Sequence, residues 1–329
     1  MKRNKKIVTF FVCFIAIIVA GLGFWAICDK EDFLSTEYED NYREDVIVYG
    51  GKEYQYNEHL SNYLFLGIDT REAIEGNKTS GEAGQADAIF VISYDRVQKT
   101  VKSISIPRDT MTMIHTFSPD GVDLGHTKNH INLQYAFGDG KTESCVLMKE
   151  AVENLLYQVP IQGYCAINMD GIPIIADLVG GVDLVVPDDS LVHVDGKFQQ
   201  GSQVTLTKED AELFLRYRDK SERHSAITRT NRQKVFLKAF AETAKERSKQ
   251  DAELVVNMYE SLQSYMVTNI GNDVLSKILQ ANYDSEQIFL DIPGKKVDGS
   301  EFDEYHVNEA ELYELVLKMF YKEVQDDKS

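Results

Sequence analysis

The sequence predicts an α/β fold, an α/β/α sandwich with a central mixed sheet that is preceded by one N-terminal transmembrane helix. Short apolar runs of strand length alternate with longer segments of helical periodicity. No linker rich in Pro, Gly or Ser interrupts this alternation after residue 60. One long uncharged segment stands near the N-terminus. These three observations indicate an anchor followed by a single domain, residues 46–324.

The first element is the uncharged segment 7–27, which is long enough to be a membrane span. As a helix it would extend about 31 Å, close to the thickness of the hydrocarbon core of a bilayer. Four basic residues precede it and three acidic residues follow it closely. The positive-inside bias therefore predicts a cytoplasmic tail at residues 1–6 and an extracellular domain on a single-pass protein of the cell membrane.

Two alternatives to an uncleaved anchor stay open. A cleaved signal peptide usually has an apolar region of about 7–15 residues that ends at small residues. This segment is longer and ends in Phe24-Trp25-Ala26-Ile27. A lipid-modified Cys28 would need a small residue just ahead of it, and Ile27 stands there. Both features favour the anchor.

The composition limits the classes of partner. Residues 28–45 are predicted to be an acidic juxtamembrane stalk, because positions 29–45 carry eight acidic and two basic side chains. The whole chain has 35 Lys and Arg against 53 Asp and Glu, a net charge of −18. Nucleic acids are bound through clustered positive charge, so no nucleic-acid partner is expected.

The strands and helices of the domain follow from local patterns. A hairpin is predicted at about 46–56, because Gly50-Gly51 suits the positive φ angles of a primed turn. Apolar runs predict central strands at 62–68, 88–94 and 101–107, and further strands at 184–187 and 289–293. Helical periodicity predicts helices at 145–156, 172–179, 208–218 (after the cap candidate Thr207), 229–247, 251–265, 272–281 and 308–322.

The four cysteines do not form a disulfide framework. Cys13 lies in the predicted membrane span and Cys28 beside it. Cys145 and Cys165 are then the one pair that could form a bridge in the exported part. Whether they pair stays open.

Charged residues follow directly on two of the predicted strands. Asp69 and Arg71 come after NYLFLGI, and Arg108 and Asp109 come after VKSISIP. Ligands of α/β sheets bind beyond the carboxyl ends of strands, so both clusters are candidates for a binding site. A pair of solvated turns is the structural alternative.

Asp69 and Asp87 are the candidate ligands of a Mg²⁺ ion. Asp87 lies directly beside the apolar run AIFVISY, as Asp69 lies beside NYLFLGI. A magnesium site often takes two carboxylate ligands from the protein, and its other ligands are waters and phosphate oxygens of the substrate. The histidines show no HxH or HExxH spacing, so a zinc site is not expected.

The segment 215–233 is unusually rich in arginine for so acidic a chain. A guanidinium group offers a planar fork of donors that fits two phosphate oxygens and stays charged, so the segment predicts binding of a di-anion. Ion pairing with the abundant carboxylates is the alternative. Exposed ion pairs contribute only about 0–1 kcal/mol, so alanine substitutions here are expected to reduce turnover with little change in stability. The arginines are Arg216, Arg218, Arg223, Arg229 and Arg232.

Six segments, in this order, resemble the LytR-CpsA-Psr family: NYLFLGIDTR, GQADAIFVIS, VKSISIPRDT, KNHINLQYAFGDG, IPIIADLVGGVDLVVP and LRYRDKSERHSAITRTNRQ. The likeness covers about residues 46–324. It implies an α/β/α sandwich with a long apolar groove for a polyprenyl tail. It also implies a membrane-anchored phosphotransferase that moves a phosphoglycosyl polymer, teichoic-acid-like or capsular, from a polyprenyl-pyrophosphate carrier to peptidoglycan with Mg²⁺.

The resemblance further implies roles for individual residues. It places Asp69 and Asp87 at the metal, and Arg108 and Asp109 at the catalytic centre. Gln233 would support the binding of the pyrophosphate. The arginines around the pyrophosphate would be Arg71, Arg108, Arg216, Arg218, Arg229 and Arg232.

Two positions depart from the family's usual pattern. Gln85 stands where the family usually has Arg, and Ala226 stands where it usually has Asp. A site that depends on charge therefore lacks one arginine and one carboxylate, although Gln85 can still donate a hydrogen bond. An alternative function stays open, that of a catalytically weak protein that binds or senses polyprenyl phosphate. A DNA-binding regulator is contradicted by the acidic charge and the predicted anchor.

Overall fold

The computed structural model describes residues 46–71, 73–74, 79–217, 225–283, 289–299 and 303–324. These residues belong to two compact units, one of residues 46–56 with 323–324 and one that spans 57–322. The predicted tail, membrane span and stalk at residues 1–45 lie outside the described residues and stay predictions. Within the described ranges, no helix combines the length and the apolar character that crossing a membrane requires.

The smaller unit contains the predicted hairpin. Its strands, β1 (Ile47–Tyr49) and β2 (Lys52–Tyr56), pair antiparallel. Gly50 and Gly51 join them with φ angles of 58° and 78°. Glycine adopts these left-handed values without the steric cost that other residues incur, as a primed turn requires. The prediction of a hairpin at 46–56 is confirmed.

The other elements are numbered in chain order. The strands are β3 (Leu60–Ile68), β4 (Ala86–Asp95), β5 (Thr100–Ser105), β6 (Met111–Phe117), β7 (Asp123–His130), β8 (Gly163–Asn168), β9 (Val182–Val185), β10 (Gln203–Leu206), β11 (Met266–Thr268), β12 (Asn282–Tyr283), β13 (Leu290–Asp291), β14 (Gly294–Asp298), β15 (Asp303–Val307) and β16 (Tyr321–Glu323). The helices are α1 (Thr142–Leu155), α2 (Gly171–Leu178), α3 (Lys208–Arg216), α4 (Ser225–Ser248), α5 (Leu254–Leu262), α6 (Asn272–Gln280) and α7 (Glu309–Phe320).

The larger unit is built on a mixed sheet of seven strands. Its order is β11-β8-β3-β4-β5, and both β12 and β13 pair with β5. The three predicted central strands, β3, β4 and β5, pair antiparallel, whereas β8 runs parallel to β3. Most residues of these strands are buried, as short continuous apolar runs predict. The predicted α/β fold with a central mixed sheet is confirmed.

The helices agree with the predicted periodicity, and none of their ends is shifted by more than four residues. The α3 helix begins after Thr207 as predicted, but the Thr207 hydroxyl donates to Asp210 Oδ2 at 3.1 Å and does not accept from the helix backbone. Apolar side chains of α2, α3, α4, β9 and β10 pack in one core cluster that includes Phe214 and Phe236. This cluster fixes α3 and α4, the helices that carry the candidate arginines.

Several strands are present that the sequence pattern does not predict. The strand β8, GYCAIN, lies beside β3 near the middle of the sheet. The strands β6 and β7 form an antiparallel hairpin, and β7 has the mostly polar sequence DLGHTKNH. The polar sequence of β7 shows neither the alternation nor the continuous apolar run from which strands are predicted, and the apolar run of β8, Tyr164–Ile167, is only four residues long.

The two cysteines of the larger unit are free and buried. Burial raises the pKa of the Cys165 thiol to about 12 and raises the pKa of the Cys145 thiol far above its usual range. Cys145 and Cys165 therefore form no bridge, and neither is a reactive thiolate at neutral pH.

Candidate active site

The candidate site lies where β3 ends and β4 begins. The antiparallel register of these strands ends with Ile68 opposite Ala86. Asp69 directly follows Ile68, and Asp87 directly follows Ala86. Both aspartates therefore lie at the same edge of the sheet. A cavity of about 200 Å³ opens there. It is lined by Asp69, Asp87, Met169, Leu215, Arg216, Arg229 and Gln233.

Backbone groups fix the carboxylate of Asp69. The Gln85 N–H donates to Asp69 Oδ1 at 2.6 Å, and the Asp69 N–H donates to the Gln85 carbonyl at 3.0 Å. Gly84 precedes this contact with a φ of +87°, and a Cβ there would lie 2.3 Å from Thr70 Cγ2 and 3.0 Å from Asp69 Oδ1. Only glycine permits this close approach.

Asp87 joins the strand end to the arginine-rich helix. Its Oδ1 accepts from Arg108, and its Oδ2 accepts from Arg229 NH1 at 2.8 Å, although Arg229 follows Asp87 by 142 residues. The exposed fractions of the Asp87, Arg108 and Arg229 side chains are 8%, 21% and 8%. Water screens such charges poorly, so this ion triad is strongly coupled.

The guanidinium of Arg108 donates to the side chains of Asp87, Asp109 and Gln85. Besides its bond to Asp87, its Nε donates to Asp109 Oδ1 at 3.2 Å and its NH2 donates to Gln85 Oε1 at 3.0 Å. Asn132 Nδ2 donates to the same Gln85 oxygen at 2.9 Å. Gln85, the first departure from the family pattern, thus orients Arg108 through its side-chain oxygen, which accepts from both Arg108 and Asn132.

Asn132 is a site residue that sequence reasoning missed. It lies in the 3-10 segment Ile131–Phe137 that follows β7, and its side chain is buried. The only signal in the sequence was its position within KNHINLQYAFGDG, a segment that carries the family resemblance but to which no role was assigned. By donating to Gln85, the buried side-chain amide of Asn132 helps to orient Arg108 indirectly.

A second group of charges surrounds Arg71 on the outer side of the site. Arg71 is half-exposed and forms ion pairs with Asp170, at 3.3 Å, and with Glu212. Glu212 Oε1 also accepts from Arg216 NH1 at 2.9 Å. Two predicted arginines are therefore brought together by a glutamate that the sequence did not single out, because KEDAELFLR reads as an ordinary amphipathic helix.

Arg232 is bonded to the end of α3 and is not among the residues that line the cavity. Its side chain is 1% exposed, and its guanidinium donates to the carbonyls of Phe214, at 2.8 Å, and Tyr217 at the end of α3. Burial lowers its pKa to about 10, so it stays protonated at neutral pH. The expectation that the arginines of α4 are exposed is wrong for Arg229 and Arg232. Arg218 lies outside the described residues.

The donor set of the cavity fits Mg²⁺. Asp69 and Asp87 line it together, and the described residues bring no third Asp, Glu, His or Cys into a metal-binding group with them. Magnesium in proteins usually takes one or two carboxylates and completes its octahedron with water and substrate phosphate. The guanidinium groups of Arg216 and Arg229 line the same cavity and can bind those phosphate oxygens.

Two carboxylates and two arginines thus line one cavity at the strand ends of a mixed sheet, an arrangement whose charges suit a ligand with phosphate oxygens. The chain belongs to the LytR_cpsA_psr family, whose sequence profile matches residues 33–320. The resemblance given by the six segments is thereby confirmed.

Two named relatives are similar in sequence to this chain over most of its length. It is 29% identical over 310 residues to the polyisoprenyl-teichoic acid--peptidoglycan teichoic acid transferase TagV of Bacillus subtilis (strain 168), over 90% of this chain and 70% of that protein. It is 28% identical over 328 residues to the corresponding transferase TagU of Bacillus anthracis (strain CDC 684), over 96% and 97%. The crystal structure of B. subtilis TagV matches it with a TM-score of 0.59 and 25% identity, over 80% of this chain and 96% of that one.

Proposed function

We propose that this chain is a phosphotransferase that moves the phosphoglycosyl end of a teichoic-acid-like or capsular polymer from a polyprenyl-pyrophosphate carrier to peptidoglycan. The observation that carries the proposal is the triad in which Asp87 holds Arg108 and Arg229 beside the cavity. The names of the relatives agree with this activity.

The chemistry of such a transfer matches what the site offers. Phosphoryl transfer needs little covalent chemistry from the protein, but it needs positive charge around the bridging and equatorial oxygens of the phosphates. Arg216 and Arg229 line the cavity and bind these oxygens, while Arg108 is oriented by Asp109, Gln85 and Asp87. Arg71, Arg218 and Gln233 are proposed to complete the binding of the pyrophosphate.

Asp69 and Asp87 are the proposed ligands of Mg²⁺. When bound, the ion neutralises charge on the phosphates. The chain's own part is to keep both carboxylates at the edge of the sheet, through the main chain of Gln85 for Asp69 and through two guanidinium groups for Asp87.

The activity is tested with the purified domain, a polyprenyl-pyrophosphate-linked glycan donor, a peptidoglycan acceptor and Mg²⁺. Wild-type protein is expected to release polyprenyl phosphate only when acceptor is present. Arg108→Lys should lower turnover about tenfold or more, because an ammonium group cannot bond to Asp87, Gln85 and Asp109 together as the planar fork does. Donor binding without any release would reject the transferase and favour the protein that binds or senses polyprenyl phosphate.

We further propose that residues 7–27 anchor the protein in the cell membrane, with the tail in the cytoplasm and the domain outside. The length and flanking charges of the segment support this, and peptidoglycan lies on that side of the membrane. Protease added to intact protoplasts should remove the domain and leave a small fragment in the membrane. A soluble mature protein that starts near residue 28 would contradict the anchor.

A further inference from the structure

Glu212 occupies a bridging position between two arginines from distant parts of the chain. Its Oε1 accepts from Arg216 NH1 at 2.9 Å and from Arg71, which precedes it by 141 residues. Arg216 stands four residues after Glu212 on α3, the spacing and order at which a helical glutamate best pairs with a cation. Asp170, directly before α2, holds Arg71 from another side at 3.3 Å.

Glu212 gives the two arginines a common acceptor. Their side chains are 50% and 37% exposed, so neither is fixed by packing alone. Two guanidinium groups that bind one carboxylate oxygen lie close enough to repel each other, and the charge of Glu212 offsets that repulsion. Each guanidinium has five N–H donors, so one bond to Glu212 leaves further donors for a ligand.

One arginine of the pair lines the cavity of the candidate active site, and the other shares a carboxylate oxygen with it. Arg216 lines it together with Asp69 and Asp87, and Arg71 follows Asp69 by two residues. An anion that binds in the cavity therefore meets Arg216 in a position that is already set, with Arg71 held beside it by the same glutamate oxygen. Ordering such long side chains before the ligand arrives removes an entropic cost from binding.

We propose that Glu212 is a positioning residue that holds Arg71 and Arg216 as a preformed clamp for the pyrophosphate of the donor. The proposal rests on the proposed function, because it assigns a pyrophosphate to that cavity. It differs from the opposite role, in which Glu212 competes with the phosphate for the arginines. Removing the charge of Glu212 would lower the affinity for pyrophosphate in the first role and raise it in the second.

The test compares Glu212→Gln with Glu246→Gln, a control that also removes the charge of a helical glutamate paired with a nearby cation, Lys249, at 2.6 Å. Inorganic pyrophosphate is titrated calorimetrically with Mg²⁺ present, and donor KM and kcat are measured. Glu212→Gln is expected to weaken pyrophosphate binding about fivefold or more and to raise donor KM similarly, with kcat changed less than about twofold. The control should match wild type.

A clamp role also requires that Glu212→Gln keep the melting temperature of wild type, and that Glu212→Asp, which retains the charge, recover part of the affinity. Unchanged or tighter pyrophosphate binding in Glu212→Gln overturns the proposal, and so does a wild-type protein that does not bind pyrophosphate. The calorimetric comparison needs no turnover. A wild-type protein that binds pyrophosphate but transfers nothing therefore counts against the proposed function and not against the clamp.

Discussion

Asp87→Asn is expected to lower transfer about a hundredfold or more, even with excess Mg²⁺. The substitution keeps the shape of the side chain and removes its charge. It takes away one of two proposed metal ligands, and it releases Arg108 and Arg229 from the carboxylate that orients both. A loss of about 3 kcal/mol in transition-state stabilisation corresponds to this factor. Turnover at saturating donor and acceptor measures it.

The same variant should also be less stable, which the sequence did not predict. Asp87 and Arg229 are each 8% exposed, so the substitution leaves a buried guanidinium facing a neutral amide whose nitrogen is itself a donor. Removing one partner of a buried ion pair costs about 3–5 kcal/mol. For a domain of this size that lowers the melting temperature by about 6–10 °C. Activity must therefore be measured well below the lowered transition.

Asp273→Asn is the matched control for both effects. Asp273 is 69% exposed and pairs with Lys277 at 2.9 Å on one helix, so the change removes one screened ion pair. Its effect on stability should stay below about 1 kcal/mol, and transfer should be unchanged. Wild-type turnover in Asp87→Asn at limiting Mg²⁺ would discard both the metal assignment and the role of the triad.

How much of the fold was predictable depended on where the stabilising contacts lie. The strands β3, β4 and β5 carry continuous apolar runs, so their own sequences predict them. The apolar run of GYCAIN is only four residues long, too short to indicate a strand by itself, and the long-range parallel pairing of β8 with β3 is not visible in the local sequence. The strand β7 was missed because its own sequence is mostly polar, and its pairing with β6 across the hairpin stabilises it.

The candidate site was predictable in its residue types but not in its pairings. Asp69, Asp87 and Arg108 stand next to apolar runs, so their place at the edge of a sheet followed from the sequence. The bond between Asp87 and Arg229 joins residues 142 positions apart in the chain, which no local pattern encodes. Glu212 was overlooked because a helical glutamate is most often a solvated surface residue.

The burial of Arg229 and Arg232 is the largest departure of the site from what the sequence predicts. Arginine is rarely buried, and an arginine-rich segment normally predicts exposed charge. Arg232 is buried nevertheless, because it meets the carbonyl end of α3, where the last turn has acceptors without intrahelical donors. A guanidinium satisfies those acceptors and also interacts favourably with the negative end of the helix dipole.

Arg232→Ala is consequently expected to destabilise the protein strongly. The variant leaves the carbonyls of Phe214 and Tyr217 without their donors and empties the space of one of the largest fully buried side chains. Each unsatisfied buried acceptor costs about 1–3 kcal/mol, so the total is about 2–6 kcal/mol before the cavity is counted. The melting temperature should fall by about 4 °C or more. Turnover should fall as well, since Arg216 stands in the same last turn of α3.

Two further variants distinguish this structural role from direct binding of pyrophosphate. Arg232→Met retains most of the aliphatic volume against the Phe214 ring, which lies 5.8 Å from the guanidinium, but has no donors. It should lose nearly as much stability as Arg232→Ala if the carbonyl contacts dominate. Lys249→Ala, at an exposed position just beyond α4, should leave the melting temperature unchanged. A wild-type melting temperature in Arg232→Ala together with lost pyrophosphate affinity would show instead that Arg232 contacts the ligand, because a guanidinium that caps α3 cannot be removed without loss of stability.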